Sequence, residues 1–170
     1  SIFLGYEMGE KARTMVRVMG GHQIKEIFFQ ECGVKIKSLG DTIGYSGYST
    51  YHITDDGGYL GAHVDHSEVN NGGLCHIGNT IFYASKTWEE GWGGETILYS
   101  KNGFTSKVEI KPIPNRLIFF LHTAHSFHGV NTFDSKGKGL RRTFYHDYYT
   151  EAKDIDKAIQ RINKKHSLNA

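Results

Sequence analysis

The sequence predicts a mainly β fold, an all-β sandwich or a closed jelly roll, with helices before and after the strands. From residue 42 onward, short stretches rich in β-branched and aromatic residues alternate with turns rich in Gly and Asn. No helical pattern separates these stretches, which favours strands that pair with one another in packed sheets. The composition agrees, because 21 Gly, 10 Tyr and 10 Phe with only 2 Pro are typical of short strands joined by tight turns.

Eight strands are predicted after the N-terminal region. Their bounds are Ser49–Thr54, Tyr59–His66, Asn79–Ser85, Glu95–Tyr99, Lys107–Lys111, Arg116–Leu121, Ser126–Asn131 and Leu140–Tyr149. Clusters of Gly, Asn and Asp lie between most of them, where turns are expected.

Helices are predicted at both ends of the chain. Residues 10–19 precede a Gly-Gly pair that is typical of a helix C-terminus. In residues 23–31, apolar side chains recur at positions i, i+3, i+4 and i+8 from Ile24. Residues 154–165 also carry apolar side chains on one helical face.

The expected organisation is a single domain that spans residues 1–170. Within it we expect helical support over about residues 1–40, a jelly-roll core over about 49–149 and a C-terminal helix over about 154–165.

Composition and charge restrict the kinds of protein that this chain can be. Apolar residues make up 38% of the chain, and no apolar run approaches the roughly 18 residues of a membrane span. Its start lacks the regions of a secretory signal, and Cys32 and Cys75 are too few and too far apart for a disulfide framework. A net charge of +2 gives little attraction for nucleic acid. We therefore expect a cytoplasmic protein that binds neither membrane nor nucleic acid.

The segment His63-Val64-Asp65 is the first candidate for a metal site. In a strand, residues i and i+2 point to the same face, so His63 and Asp65 can reach one point. A neutral imidazole and a carboxylate suit Fe(II), Mn or Zn. The pair alone is weak evidence in a chain with 10 His. By the same alternation we expect His66 to point away, as a surface residue or a neighbour of the site.

The third ligand is predicted on a distant strand. Three histidines, His122, His125 and His128, follow one another at three-residue spacing, which could be one face of a helix. The apolar, aromatic run before them instead favours a buried strand, a turn and a new strand that begins near His128. We expect His122 and His125 in the turn or beside the site. A site of two His and one carboxylate, here His63, Asp65 and His128, is typical of non-haem Fe(II) oxygenases.

An anion-binding pair is predicted at the start of the last strand. Arg141 and Thr143 share a face, so a guanidinium and a hydroxyl could hold one carboxylate. Tyr83 could add a phenolic hydrogen bond. In isolation, two adjacent arginines are more often a solvated face, and a tyrosine in a strand is more often part of the core.

Taken together and in this order, these elements resemble the Fe(II)/2-oxoglutarate-dependent oxygenases, in particular the prolyl 4-hydroxylase-like branch. The resemblance spans about three-fifths of the chain, from Tyr51 to Tyr149. It rests on YHITDDGGYLGAHVD, IFYAS, GWGGETILY and NRLIFFLHTAHSFHGV, and on Arg-x-Thr where the family usually has Arg-x-Ser. It implies a double-stranded β-helix, the cupin-like jelly roll, as one Fe(II)/2-oxoglutarate oxygenase domain.

The resemblance also implies roles for individual residues. His63, Asp65 and His128 match the iron ligands, and Arg141 matches the partner of the 2-oxoglutarate C5 carboxylate, with Thr143 and Tyr83 assisting. The link between His128 and Arg141 is longer than expected for this branch, so the neighbouring Arg142 is an alternative partner. The cofactors implied are Fe(II), 2-oxoglutarate as co-substrate and O2, with ascorbate in support.

The activity implied is hydroxylation of an unactivated C–H bond, and two substrate classes stay open. One is a side chain of a peptide or protein, such as a prolyl side chain. The other is a free small molecule, such as an amino acid or a natural-product intermediate. A third interpretation is a non-catalytic metal-binding cupin-like module, although such a module needs no dicarboxylate anchor like Arg141. Tyr51 is a candidate to line the pocket, and Trp88 and Trp92 to form its lid or rim.

Overall fold

The computed structural model describes residues 2–4, 10–37, 49–65, 68–69 and 73–167. The strands are β1 (Ile2–Leu4), β2 (Ser49–Thr54), β3 (Leu60–His63), β4 (Glu68–Val69), β5 (Leu74–Tyr83), β6 (Thr96–Tyr99), β7 (Ser106–Ile110), β8 (Leu117–Leu121), β9 (His128–Val130) and β10 (Arg141–Glu151). The helices are α1 (Glu10–Met19), α2 (His22–Cys32) and α3 (Ile155–Ser167), and a 3-10 turn, Ala152–Asp154, precedes α3.

The strands form two antiparallel sheets, as expected for a jelly roll. The larger sheet has the order β1-β2-β10-β5-β4, with β8 also paired to β5. The smaller sheet has the order β3-β9-β6-β7. The predicted mainly β fold is confirmed.

The two long strands β5 and β10 form the centre of the larger sheet. They pair from Thr143↔Tyr83 to Glu151↔Leu74, with a register shift between Tyr148 and Tyr149. Because side chains alternate along a strand, β5 and β10 each have one face towards the smaller sheet and one towards the helices. This arrangement places polar residues between the sheets and apolar residues beneath the helices.

The helices cover the outer face of the larger sheet. Seven buried residues form the main cluster there: Phe28, Cys32, Val34, Ile36, Ile77, Tyr148 and Ala158. Phe28 of α2 is 1% exposed, and its ring centroid lies 4.4 Å from that of Tyr148. Burial also raises the pKa of the Cys32 thiol to about 11. This core holds β10 in position while its opposite face stays available for chemistry.

Most predicted elements are present, with differences at their ends. The strand predicted to begin at Asn79 begins at Leu74, and the short strands β1 and β4 were not predicted. A two- or three-residue strand carries too little periodicity to be recognised. Within the described residues, no helix is long and apolar enough to cross a bilayer. The single-domain organisation stays a prediction.

Candidate active site

Three side chains predicted as metal ligands come together where the two sheets face each other. His63 ends β3 and His128 begins β9, and the two residues are partners in the antiparallel pairing of these strands. Asp65 follows β3 by two residues. One ligand atom from each of the three lies within 4.8 Å of the others. This is the geometry of a two-histidine, one-carboxylate metal site.

Backbone carbonyls fix the orientation of both histidine rings. The Nδ1 atoms of His63 and His128 lie 2.9 Å from the Gly61 carbonyl and 3.1 Å from the Ser126 carbonyl. A carbonyl only accepts hydrogen bonds, so each Nδ1 carries the proton and each Nε2 lone pair faces the site. Those Nε2 atoms lie 3.3 and 3.5 Å from the oxygens of Asp65. Two nitrogen lone pairs and a carboxylate that face one another can bind a cation between them.

The electrostatics of the three groups suit a divalent cation. Burial raises the pKa of Asp65, but hydrogen bonds from His63, when its Nε2 is also protonated, and from Tyr145 outweigh it and hold that pKa below its ordinary value. Burial lowers the pKa of His128 and so favours its neutral form. The hydrogen bond to Asp65 raises the pKa of His63, so a proton competes for the place of a metal.

A second set of polar residues holds Asp65 in place. The Tyr145 hydroxyl donates to Oδ2 of Asp65, and Asn79 Nδ2 donates to the same oxygen at 3.3 Å. Nε2 of the buried His122 lies 3.6 Å from that oxygen, and burial lowers the pKa of His122 to about 3. His122 therefore lies beside the site, as expected.

The other two histidines near the ligand motifs are less involved. His125 is exposed in the turn before β9. His66 lies outside the described residues, so its expected orientation stays a prediction.

Arg141 is buried at the start of β10 and faces the same space. It is 5% exposed, and its Nε and Nη2 donate to the Gly94 carbonyl at 2.8 Å and to Thr96 Oγ1 at 3.2 Å. Among the described residues no carboxylate forms an ion pair with it, and burial lowers its pKa. A buried guanidinium with only neutral partners costs free energy until it meets an anion.

The backbone of Gly94 allows this arrangement. Its φ is 77°, in the left-handed region. A Cβ atom there would lie 2.9 Å from the Phe133 ring and 3.0 Å from Cδ of Arg141. The GWGGE turn is therefore a support for the guanidinium.

The other two predicted anion-binding residues stand in different relations to Arg141. Thr143 is 2% exposed and lines the same cavity. Tyr83 is completely buried, with its ring centroid 5.5 Å from the Arg141 guanidinium carbon. Its hydroxyl lies 2.6 Å from Thr96 Oγ1, and Thr96 lines the cavity. Tyr83 therefore packs against the guanidinium, and its assisting role at the co-substrate carboxylate stays a prediction.

Arg142 points to the opposite face of the sheet. Its Nη1 donates to the Tyr51 hydroxyl at 2.7 Å, and the Tyr51 ring stacks on Phe144 with centroids 4.8 Å apart. Tyr51, a candidate for the pocket wall, therefore lies outside it, because its neighbours Thr50 and His52 take the inward positions of β2. Of the two arginines, Arg141 is the one that faces the candidate metal site.

The long link before β10 is held by one carboxylate. Asp56 accepts hydrogen bonds from the backbone N–H and hydroxyl of Ser135, at 2.6 and 2.9 Å. It also accepts one from the backbone N–H of Gly137 at 2.6 Å. These bonds close the link as an ordered loop, so its extra length does not displace Arg141.

The two tryptophans also support this region. Trp88 Nε1 donates to the Gly93 carbonyl at 2.9 Å. Trp92 is 8% exposed, and its ring packs edge-on against Phe133 with centroids 6.3 Å apart. Trp92 is therefore a core residue, and neither the lid nor the rim interpretation holds for it.

A cavity of about 630 Å³ between the sheets contains these groups. Its lining residues are Thr50, His52, Leu60, His63, Asp65, His76, Ile81, Thr96, His128, Gly129, Val130, Arg141, Thr143, Tyr145, Asp147 and Tyr149. A cation-binding triad and a buried guanidinium that open onto one cavity suit a metal and a carboxylate ligand bound together.

Comparisons with solved structures show where this fold occurs. It is similar to that of a viral collagen prolyl hydroxylase from Paramecium bursaria Chlorella virus-1, solved with 2OG (15% identity, TM-score 0.61, 88% of this chain and 79% of that one). It is also similar to a Pseudomonas putida prolyl-4-hydroxylase (14% identity, TM-score 0.57, 88% and 70%). A prolyl 4-hydroxylase from Phytophthora capsici is a third (17% identity, TM-score 0.55, 86% and 47%).

Comparison with sequences and sequence families gives two results. No curated protein matches the chain significantly by sequence. The family model of the 2OG-Fe(II) oxygenase superfamily matches residues 47–149, which contain the triad and both arginines. Fe(II) and 2-oxoglutarate are the cofactors of this family, and the triad and the buried guanidinium fit them. The chain therefore belongs to the 2OG-Fe(II) oxygenase superfamily and is a 2-oxoglutarate-dependent dioxygenase.

Proposed function

We propose that this dioxygenase hydroxylates an unactivated C–H bond in a side chain of a peptide or protein. In this proposal His63, Asp65 and His128 bind Fe(II), and Arg141 binds the C5 carboxylate of 2-oxoglutarate. The observation that carries it is Arg141, a buried guanidinium without an acidic partner among the described residues, in the same cavity as a complete ligand triad.

The overall reaction is balanced without a further reductant. Fe(II) and 2-oxoglutarate, when bound, supply the oxidising chemistry: 2-oxoglutarate and O2 become succinate and CO2, and the second oxygen atom converts substrate C–H to C–OH. Three protein ligands leave positions open for the co-substrate and O2.

The residues of the chain position and shield the reactants. Tyr145 and Asn79 fix the Asp65 carboxylate through hydrogen bonds, which keeps a ligand oxygen directed at the metal. Gly94 and Thr96 hold the Arg141 guanidinium from behind its cavity face. Arg141 is 5% exposed, and this burial strengthens the carboxylate–guanidinium attraction.

An exposed apolar residue of the cavity lining supports the choice of a peptide or protein substrate. Leu60 lines the cavity and is 48% exposed. Exposed apolar residues at a cavity mouth can bind the segments on either side of a reacting side chain. The prolyl hydroxylases of similar fold agree with a peptide substrate but do not establish it for this chain.

The test combines metal content with product formation. Purified protein is incubated with Fe(II), ascorbate, 2-oxoglutarate and a peptide library, and succinate and peptides heavier by one oxygen atom are measured. We expect His63→Ala to lose bound iron and succinate release, because it removes a ligand. His125→Ala, a change at an exposed histidine in the turn before β9, should keep both. No succinate from the wild type, or stoichiometric iron in His63→Ala, would contradict the proposal.

A further inference from the structure

A second carboxylate, Asp147 of β10, faces the cavity. Nε2 of His76 lies 3.4 Å from Oδ1 of Asp147, and the two side chains are 4% and 20% exposed. Both residues line the cavity, together with Tyr149. The His76 ring lies 5.1 Å from the Tyr149 ring and 4.3 Å from the His122 ring, centroid to centroid. Asp147 is therefore part of a polar wall close to the metal triad.

The backbone explains why these residues face inward. Asp147 continues the alternation that starts at Arg141. The register shift between Tyr148 and Tyr149 pairs Tyr149 with His76, two residues from the Tyr148 partner Gly78. A shift of this kind re-aims side chains, and here it turns His76 into the cavity. The wall is thus a built feature of the two central strands.

Asp147 and Arg141 lie at different places along β10, and both line the cavity. They are six positions apart, which is about 20 Å of extended strand. Between them lies Tyr145, whose hydroxyl reaches the triad through Asp65. A co-substrate bound between Arg141 and the metal would therefore leave the region of Asp147 for the substrate.

Charge balance shows what Asp147 would bind. Among the described lining residues, the Asp, Glu, Lys and Arg side chains are Asp65, Arg141 and Asp147. With the histidines counted as neutral, Fe(II) and Arg141 together balance Asp65 and the two carboxylates of 2-oxoglutarate. Asp147 then adds one negative charge without a counterpart. A partly buried carboxylate is stabilised when it pairs with a cation.

A role in orienting the His76 ring does not by itself explain why Asp147 is a carboxylate. The 3.4 Å separation exceeds the usual 2.7–3.2 Å of such hydrogen bonds. Oδ1 of Asp147 is buried and accepts no hydrogen bond from the residues that the structure describes. The Asp147 side chain as a whole is 20% exposed and lines the cavity, so a donor on a ligand can reach the carboxylate.

We propose that Asp147 binds a cationic nitrogen of the substrate, so that the hydroxylated carbon belongs to a lysyl- or arginyl-type side chain. A peptide-bonded proline carries no such charge. This inference rests on the proposed function, and it specifies the substrate class of the same cavity. The chemistry recognised is an ammonium or guanidinium group on an aliphatic chain, whether in a peptide or in a free amino acid.

The test measures binding without turnover. Wild-type protein is loaded with Mn(II) and N-oxalylglycine, an unreactive analogue of 2-oxoglutarate, and titrated with matched pairs of pentapeptides. One pair contains lysine or Nε-acetyl-lysine, and the other contains arginine or citrulline. We expect the cationic member to bind at least about tenfold more tightly, the ratio that one charge-assisted hydrogen bond provides. Equal or tighter binding of the neutral members, in the peptides and in the free amino acids alike, would overturn the proposal.

Variants test whether Asp147 is the residue that gives the preference for the cationic peptides. Asp147→Asn should bring the ratio of dissociation constants close to one. The control Glu90→Gln makes the same chemical change at a surface carboxylate, which lies 2.7 Å from Nζ of Lys111, and should keep the ratio. His76→Gln leaves the Asp147 carboxylate in place and should also keep it. An unchanged ratio in Asp147→Asn, or a ratio lost only in His76→Gln, would contradict the assignment.

Two further arms complete the test. Free lysine and arginine are titrated beside the peptides, and tighter binding of either source than of its neutral counterpart supports the proposal and identifies the source. Succinate release by the Fe(II)-loaded wild type is measured separately. Its absence would refute the proposed function, whereas loss of charge discrimination in the Mn(II) complex would refute this inference alone.

Discussion

The two faces of β10 carry the same kinds of residue and use them differently. The inner face presents Arg141, Thr143, Tyr145, Asp147 and Tyr149 to the cavity. The outer face presents Arg142, Phe144, His146, Tyr148 and Thr150 to the helical side. Arginine, threonine and tyrosine therefore occur on both faces. The position of a residue in the alternation, and not its type, decides whether it contributes to the site or to the core.

The hydroxyls of two tyrosines show the difference most directly. The Tyr145 hydroxyl donates to the carboxylate Asp65. The Tyr148 hydroxyl donates to the Met19 carbonyl at 2.6 Å, and it lies 3.1 Å from Thr80 Oγ1. One hydroxyl orients a candidate metal ligand, and the other joins β10 to the end of α1. Matched substitutions on the two faces should therefore affect different measured quantities.

The largest effect is expected from the arginine pair. Arg141→Ala should weaken 2-oxoglutarate binding by about 100-fold or more, because a buried guanidinium that meets a carboxylate contributes a few kcal/mol. Arg142→Ala should change that affinity little, since its guanidinium bonds to Tyr51 on the outer face. Isothermal titration of each variant with 2-oxoglutarate in the presence of Mn(II) measures both. A large loss only in Arg142→Ala would show that the opposite face binds the co-substrate.

A smaller effect is expected from Tyr145→Phe. Loss of the hydroxyl removes one of the two donors to Oδ2 of Asp65, and such partners of a metal ligand usually contribute 10–100-fold to metal affinity. We expect iron affinity to fall by about that factor while thermal stability stays near that of the wild type. Competition with a chelator measures the affinity. An unchanged affinity would mean that Asn79, which donates to the same oxygen, orients Asp65 without help.

The features that the sequence predicted well are those that depend on local periodicity. The alternation of a strand places His63 with Asp65 and Arg141 with Thr143, and the structure keeps both pairs on one side. Continuing the same alternation would have included Tyr145, so this residue was within reach of sequence reasoning. The ligand assignments themselves stay predictions that metal and co-substrate binding must test.

The features that were missed depend on contacts between distant segments. The inward position of His76 follows from a register shift against Tyr149, which single-strand periodicity does not contain. The contact of the Tyr83 hydroxyl with Thr96, 13 positions further along the chain, was not predicted either. Pairings of this kind are set by how the two sheets pack. The local sequence pattern thus determines the face of the strand on which a residue lies. The packing of the sheets determines which residues it contacts there.

The smallest effect is expected from Tyr148→Phe, and it appears in stability. The substitution removes a buried hydrogen bond to the Met19 carbonyl and keeps the ring against Phe28. The free energy of unfolding should fall by about 1–2 kcal/mol, because a buried acceptor loses its partner. Urea denaturation measures this change, and 2-oxoglutarate and iron affinities of the folded protein should stay unchanged. If Tyr148→Phe instead lowered iron affinity as much as Tyr145→Phe, the two faces of β10 would be coupled, and a change in the core would reach the site through the strand itself.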